Sequence, residues 1–229
     1  MRGAEISCRY VDEGGSRIGV HLLAYLFDPV EPAFRAARAR LREGRRTRGK
    51  QMVEHLRAGG YDVSWERVRE IGGGTVGRPH VARALMEIGA VASVAEAFTP
   101  EWIAPGGRFY AGKDELDLPA AIDLVLGAGG VPVLAHPRTA RARRHLPDKA
   151  VEAMAAAGLR GLEVDHPDHG AAARMQLRAL AARLDLVATG SSDFHGANKP
   201  TLRLGAETTD RAAYDALTAA ASGCPPAAA

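Results

Sequence analysis

Apolar and β-branched residues recur through two neighbouring segments near the start of the chain, residues 4–10 and 18–27. The segment between them contains the pair Gly14-Gly15, which is a strong signal for a turn. We therefore expect two strands that form a hairpin or a strand pair.

Between residues 32 and 112 the apolar positions change to the three-to-four spacing of amphipathic helices. This spacing predicts helices over residues 34–42, 50–56, 65–71 and 81–88, and Ser64 is placed to cap the third of them. No strand pattern interrupts this part of the sequence.

After Asp117, which suits a helix N-cap, the pattern alternates between helices over residues 118–126, 148–156 and 171–184 and strands over 131–135, 161–164 and 186–189. This alternation predicts βα units and a parallel sheet. The expected fold is an α/β layer or barrel made from residues 1–29 and 117–229. A helical insertion over residues 30–116 interrupts it and could cover the strand ends like a lid.

The composition fits a globular protein that works in a reducing compartment. The chain has 229 residues, of which 46% are hydrophobic, enough for one domain with an insertion. Its two cysteines, Cys8 and Cys224, lie far apart without C-x-x-C spacing, so we expect no disulfide framework and no thiolate metal site. No apolar targeting segment and no run approaching about 18 apolar residues is present. A cytoplasmic location is expected, and secretion and membrane insertion are disfavoured.

Positive charge is unevenly distributed along the chain. The net charge is +3, but nine arginines and lysines lie between Arg35 and Arg57, against only Glu43 and Glu54. Such a cluster is typical of proteins that bind polyanions. A solvated, arginine-rich helix face explains it equally well.

Carboxylates and imidazoles occur on the predicted strands or directly after them. Glu5 and His21 lie on the first two strands, His136 ends the third, and Asp193 and His195 follow the last. Divalent metals favour these ligand types, and loops at strand ends are where barrel enzymes keep their chemistry. Structural alternatives stay open: His21 as a hydrogen-bonded core histidine, Glu5 capping a sheet edge, and His136 capping a strand.

A second candidate site lies at the start of a predicted helix. Arg78 and His80 flank Pro79 in its first turn. An arginine, a histidine and free helix N–H groups together would make a phosphate socket. The alternative is an ordinary helix start in which the histidine is incidental.

Six segments in this order resemble the PHP family, named for polymerase and histidinol phosphatase. The nearest subgroup contains nucleoside 3',5'-bisphosphate phosphatases and 5'-to-3' exoribonucleases that act on short RNA. The segments are GAEIS at residues 3–7, VHLLAY at 20–25, RPHVAR at 78–83, VLAHPR at 133–138, LEV at 162–164 with PDH at 167–169, and GSSDFHG at 190–196.

The resemblance implies a fold, a cofactor and residue roles. The fold would be a distorted (β/α)7 TIM-like barrel with a helical insertion. The site would hold up to three divalent ions, often manganese, sometimes iron or zinc. Glu5 would bridge two ions, and the further ligands would be His21, His136, Asp193 and His195. The residues facing substrate phosphates would be Arg48, Arg78, His80, Arg138 and His169.

The sequence departs from the family at its start. Family members carry an H-x-H, a nearby Asp and a T-D-H-D segment upstream of the glutamate that matches Glu5, which here is the fifth residue. About four ligands and the first strands of the barrel are therefore expected to be missing. A wrongly assigned start, a fragment and a degenerate protein are all consistent with this.

The sequence thus predicts a metal-dependent phosphoesterase in which metal-activated water attacks phosphorus, with Glu5, Asp193 and His195 as catalytic residues. The expected substrate is a nucleoside 3',5'-bisphosphate or the 5' end of a short RNA, with no membrane involved. Two alternatives stay open. One is a histidinol-phosphate phosphatase, and the other is an inactive, truncated remnant with a binding role.

Overall fold

Six strands form one mixed sheet in the computed structural model, which describes residues 1–74, 76–112, 114–139, 145–196 and 201–224. The strands are β1 (Gly3–Val11), β2 (Arg17–Tyr25), β3 (Leu116–Asp117), β4 (Val131–Ala135), β5 (Gly161–Asp165) and β6 (Val187–Gly190). Their order in the sheet is β3-β1-β2-β4-β5-β6. β1 and β2 form the expected antiparallel hairpin, and β2 also runs antiparallel to β4. Because β4, β5 and β6 are parallel, their carboxyl ends meet at one edge of the sheet.

The described part of the chain contains eight helices. They are α1 (Pro32–Ala58), α2 (Trp65–Gly72), α3 (Arg78–Glu87), α4 (Val94–Ala97), α5 (Leu118–Gly127), α6 (Asp148–Ala156), α7 (Ala171–Arg183) and α8 (Arg211–Ala220). The order α5-β4-α6-β5-α7-β6 confirms the predicted α/β alternation. Among these helices none combines the length and the apolar character that crossing a membrane requires.

The chain divides into two compact units. The first comprises Met1–Arg35 and Glu115–Ala229, and the second comprises Ala36–Asp114. In the first unit all five residues of β4 are buried, as expected for an inner strand covered on both faces. The second unit is helical and has its own core, which includes Leu56, Val68, Leu85 and Ile103.

The first part of the helical region differs from the prediction. Residues 34–42 and 50–56 belong to one continuous helix of 27 residues, α1. Gly44 and Gly49, which lie between the two predicted stretches, are points of close approach. A Cβ at Gly49 would lie 2.9 Å from the Trp65 ring, and one at Gly44 would lie 3.0 Å from the Asp114 Cβ. These glycines therefore admit neighbouring groups without ending the helix.

Three further elements have no counterpart in the sequence prediction: the two-residue strand β3, the single-turn helix α4 and the helix α8. Ser64 was predicted correctly as a helix cap, because its Oγ accepts a hydrogen bond from the Arg67 N–H at 3.0 Å.

Candidate metal centre

Glu5 and His21 lie on one face of the β1–β2 hairpin. The register pairs Glu5 with Leu23 and Ser7 with His21, so alternate residues of the two strands share that face. Glu5 and His21 are therefore diagonal neighbours across the strands. The Glu5 Oε1 lies 2.5 Å from the His21 Nδ1.

His136 joins these two side chains from the end of β4. The preceding residue, Ala135, pairs with His21 in the sheet, which brings the end of β4 beside the hairpin. The His136 Nε2 lies 3.4 Å from the Glu5 Oε1 and 3.3 Å from the His21 Nδ1. The three potential ligand atoms all lie within 4.8 Å of one another. One carboxylate and two imidazoles at this spacing suit a divalent transition metal.

Neighbouring side chains shift the pKa values of Glu5 and His136. Burial by itself would raise the pKa of Glu5, but hydrogen bonds and charges from His136 and His21 outweigh it and hold this pKa well below its usual range. Burial would lower the pKa of His136, whereas the hydrogen bond to Glu5 and the charges of Glu163 and Glu5 raise it. The lowered pKa of Glu5 thus describes a carboxylate that stays ionised beside the two imidazoles. A metal cation fits the same donor set.

Asp193 and His195 follow β6 and line the same pocket as the cluster. This pocket has a volume of about 210 Å³ and is lined by Glu5, His21, His136, Thr139, His166, Asp168, Asp193 and His195. The His195 Nδ1 lies 2.7 Å from the Asp193 carbonyl oxygen and 3.2 Å from its Oδ1. The five residues predicted as ligands therefore border one cavity, three of them at ligand spacing.

Two of the residues predicted to contact phosphate lie in the first unit and already have partners. Arg138 donates to the Leu146 carbonyl at 2.6 Å and forms an ion pair with Asp148. His169 is buried, with its Nδ1 2.8 Å from the Val164 carbonyl oxygen, and its Nε2 accepts the Arg138 N–H at 3.2 Å. These contacts fix the loops after β4 and β5 to each other. A phosphate contact by either side chain stays a prediction.

The other three residues predicted to contact phosphate lie in the second unit, and they are Arg48, Arg78 and His80. The Arg48 and Arg78 guanidinium groups lie over the rings of Tyr110 and Phe98, at 5.2 Å and 4.9 Å from the ring centroids. The Arg78 Nη1 is buried and has no hydrogen-bond partner among the described residues, and burial lowers the pKa of this guanidinium. The His80 Nδ1 accepts the Gly77 N–H at 3.0 Å in the first turn of α3. Their role in phosphate binding stays a prediction.

The sequence prediction assigned no role to Glu163 and His166. Both are buried on or after β5, with 2% and 1% of their surface exposed. The signal in the sequence is a carboxylate inside the apolar run Gly161-Leu162-Glu163-Val164, where burial demands a partner.

The chain is similar to several phosphoesterases. It is 32% identical over 201 residues to a 3',5'-nucleoside bisphosphate phosphatase of Chromobacterium violaceum, covering 85% of this chain and 67% of that protein. It is 31% identical over 196 residues to a phosphoribosyl 1,2-cyclic phosphate 1,2-diphosphodiesterase of Eggerthella lenta, covering 85% and 72%. A 5'-3' exoribonuclease of Haemophilus influenzae is 28% identical over 195 residues, covering 85% and 69%.

A solved structure from Bifidobacterium adolescentis, assigned as a metal-dependent phosphoesterase, matches the fold with a TM-score of 0.85. It is 36% identical, and the match covers 96% of this chain and 76% of that chain. No family model matches the sequence.

Proposed function

The chain belongs to the PHP family, and from that premise we propose that it is a metal-dependent phosphoesterase acting on nucleotide phosphates. One observation carries the proposal: Glu5, His21 and His136 place their ligand atoms within 4.8 Å of one another. Two more ligand-type residues, Asp193 and His195, border the same pocket.

The ligand-type residues of the pocket would hold divalent metal ions. Glu5, His21 and His136 would hold a divalent ion, and Asp193 and His195 would complete the site for further ions. When bound, such ions would supply the Lewis acidity that the hydrolysis of a phosphate ester by water requires. The carboxylate of Glu5 stays ionised because the two imidazoles lower its pKa.

Substrate phosphates would be bound by arginine and histidine side chains. Arg78 is the strongest candidate, because its buried Nη1 lacks a hydrogen-bond partner in the described residues and a guanidinium suits phosphate oxygens. We assign Arg48, His80, Arg138 and His169 to the same role as supporting residues. Removing the charge of Arg78 should therefore weaken substrate binding more than it slows the chemical step.

The proposed substrates are nucleoside 3',5'-bisphosphates and the 5' ends of short RNA. The activities in the names of the Chromobacterium and Haemophilus relatives support this choice. The nine basic residues between Arg35 and Arg57 also favour a polyanionic substrate. We propose manganese as the metal, with iron and zinc as the other candidates, and the cytoplasm as the location.

The experiment is a substrate panel on metal-stripped protein restored with Mn²⁺. The panel contains a nucleoside 3',5'-bisphosphate, a 5'-phosphorylated short RNA, histidinol phosphate and a five-membered cyclic phosphodiester. We expect release of phosphate or mononucleotides from the first two that depends on Mn²⁺ and is lost in Glu5→Gln. Hydrolysis of histidinol phosphate alone would show a histidinol-phosphate phosphatase instead. If none of the four substrates is hydrolysed, the proposal is contradicted.

A further inference from the structure

Two of the proposed metal ligands have an unusual backbone conformation. His136 has φ 25° and Asp193 has φ 47°, in the left-handed region that side-chain-bearing residues rarely adopt. Such strained residues persist where surrounding groups hold them, and they concentrate at functional sites. Neighbouring side chains should therefore hold these two residues in place.

Glu163 holds the backbone of His136. The Glu163 side chain projects from β5, the strand next to β4, and only 2% of its surface is exposed. Its Oε2 accepts the His136 N–H at 2.7 Å. Burial raises the pKa of Glu163, and its carboxyl oxygen can accept this hydrogen bond in either protonation state. The bond fixes the peptide that orients the His136 ring toward Glu5.

His166 faces the carboxylate of Asp193. The His166 Nδ1 accepts the Asp168 N–H at 3.0 Å, so the proton of the neutral ring lies on Nε2. That Nε2 is buried, has no hydrogen-bond partner in the described residues, and lies 3.6 Å from the Asp193 Oδ2. With its proton on Nε2, the ring presents an N–H toward the Asp193 carboxylate at 3.6 Å, just beyond hydrogen-bond distance, and this nitrogen has no free lone pair for a metal.

We infer that Glu163 and His166 are positioning residues, which hold the strained ligands His136 and Asp193 in the geometry that binds the metal. Strand β5 would then contribute no ligand of its own and would support the ligands that follow β4 and β6 on either side. This inference rests on the proposed function, because it assumes that these two residues bind metal.

A purely structural role explains these residues less well. Burying a carboxylate in strand β5 and an imidazole directly after it is costly, and a leucine or phenylalanine would pack there at lower cost. Both groups direct their polar atoms at proposed ligands. The fold gains little from this arrangement, whereas the metal site gains fixed ligands.

The first test measures the Mn²⁺ dissociation constant of folded variants by electron paramagnetic resonance of free Mn²⁺. Glu163→Ala removes the acceptor and should weaken Mn²⁺ binding about 10–100-fold, the usual effect of losing a group that orients a ligand. Glu163→Gln keeps an acceptor oxygen and should recover most of the affinity. Thr189→Val is the matched control, because Thr189 is buried directly opposite Glu163 on β6. The Mn²⁺ affinity of this variant should stay at the wild-type value.

A second variant and a measurement on the wild-type protein complete the test. His166→Phe keeps the ring volume but loses the donor, and should weaken Mn²⁺ binding at least about 10-fold. In the wild-type protein the His136 amide should exchange slowly with solvent in nuclear magnetic resonance experiments, which decides the Glu163 contact even if Glu163→Ala fails to fold. Wild-type affinity in folded Glu163→Ala and His166→Phe, or a rapidly exchanging His136 amide, would overturn the inference.

The outcomes separate this inference from the proposed function. If the wild-type protein binds no Mn²⁺, the metal site itself is wrong and the inference falls with it. If the wild-type protein binds Mn²⁺ and hydrolyses its substrate but the variants bind Mn²⁺ equally well, only the positioning roles are wrong.

Discussion

The Glu5 Oε1 lies 2.5 Å from the His21 Nδ1, across two neighbouring antiparallel strands. A diagonal pair on one face of a hairpin is held by the register of the whole ladder, not by a loop. Two of the five proposed ligands are therefore built into the most regular part of the fold. The other three lie in the loops that follow β4 and β6.

The first prediction concerns the negative charge of Glu5. Glu5→Gln keeps the side-chain size but removes the charge, and should weaken Mn²⁺ binding more than about 100-fold, since loss of an outer group alone costs about 10–100-fold. Isothermal titration calorimetry measures the change. Glu13→Gln is the control, because Glu13 is an exposed carboxylate in the turn after β1 that pairs with Lys149. Equal affinity in both variants would exclude Glu5 as a ligand.

The second prediction concerns Asp193 and uses its backbone conformation. Asparagine tolerates positive φ, so Asp193→Asn removes the charge without adding backbone strain. We expect kcat to fall about 100-fold or more. Asp185→Asn is a matched control, because the exposed Asp185 has a similar φ of 54° and lies outside the pocket. Comparable kcat values for the two variants would remove Asp193 from the site.

The third prediction concerns Arg78. Arg78→Met keeps an apolar chain beside Phe98 and removes the guanidinium. If this group binds a substrate phosphate, KM should rise about 10–100-fold, the value of a hydrogen bond to a charged group, while kcat changes less. Steady-state kinetics provide the readout, and Arg67→Met, which removes an exposed arginine paired with Glu87, is the control. A change in melting temperature with an unaltered KM would show that Arg78 serves only the fold.

The fourth prediction concerns Tyr25 at high pH. Burial, followed by the charges of Glu163 and Glu5, raises the pKa of Tyr25 from 10.0 to about 12. The folded state thus holds this proton more tightly than the unfolded state does. Its contribution to stability is fully present below pH 10 and is lost as the pH rises toward 12.

Urea unfolding of the wild-type protein and of Tyr25→Phe measures this contribution. The difference in unfolding free energy between them should shift in favour of the variant between pH 10 and 12, because phenylalanine has no proton to lose. A difference that stays constant over this range would contradict the assignment.

Much of the fold could be predicted from the sequence because its elements have strong local signals. The Gly14-Gly15 turn, the Ser64 cap and the alternation after Asp117 each placed an element where the structure has it. Helix α1 was predicted as two pieces, because the three-to-four apolar spacing was read only over residues 34–42 and 50–56. Tertiary contacts explain the glycines at positions 44 and 49, because each leaves room for a side chain from elsewhere in the second unit.

The candidate site, like the fold, was only partly predictable from the sequence. Glu5, His21 and His136 were expected on strands or at a strand end, the family resemblance implied that they are ligands of one site, and the structure places their ligand atoms within 4.8 Å of one another. The left-handed conformations of His136 and Asp193 and the buried bond from Glu163 could not be predicted, because they depend on contacts between residues distant in sequence.

The most direct test of the metal centre is anomalous diffraction at the manganese edge from crystals of the chain grown with Mn²⁺. We predict an anomalous peak within coordination distance of the Glu5 carboxylate and of the imidazole nitrogens of His21 and His136. A well-ordered site without such a peak at saturating Mn²⁺, or a peak bound by other residues, would contradict this prediction.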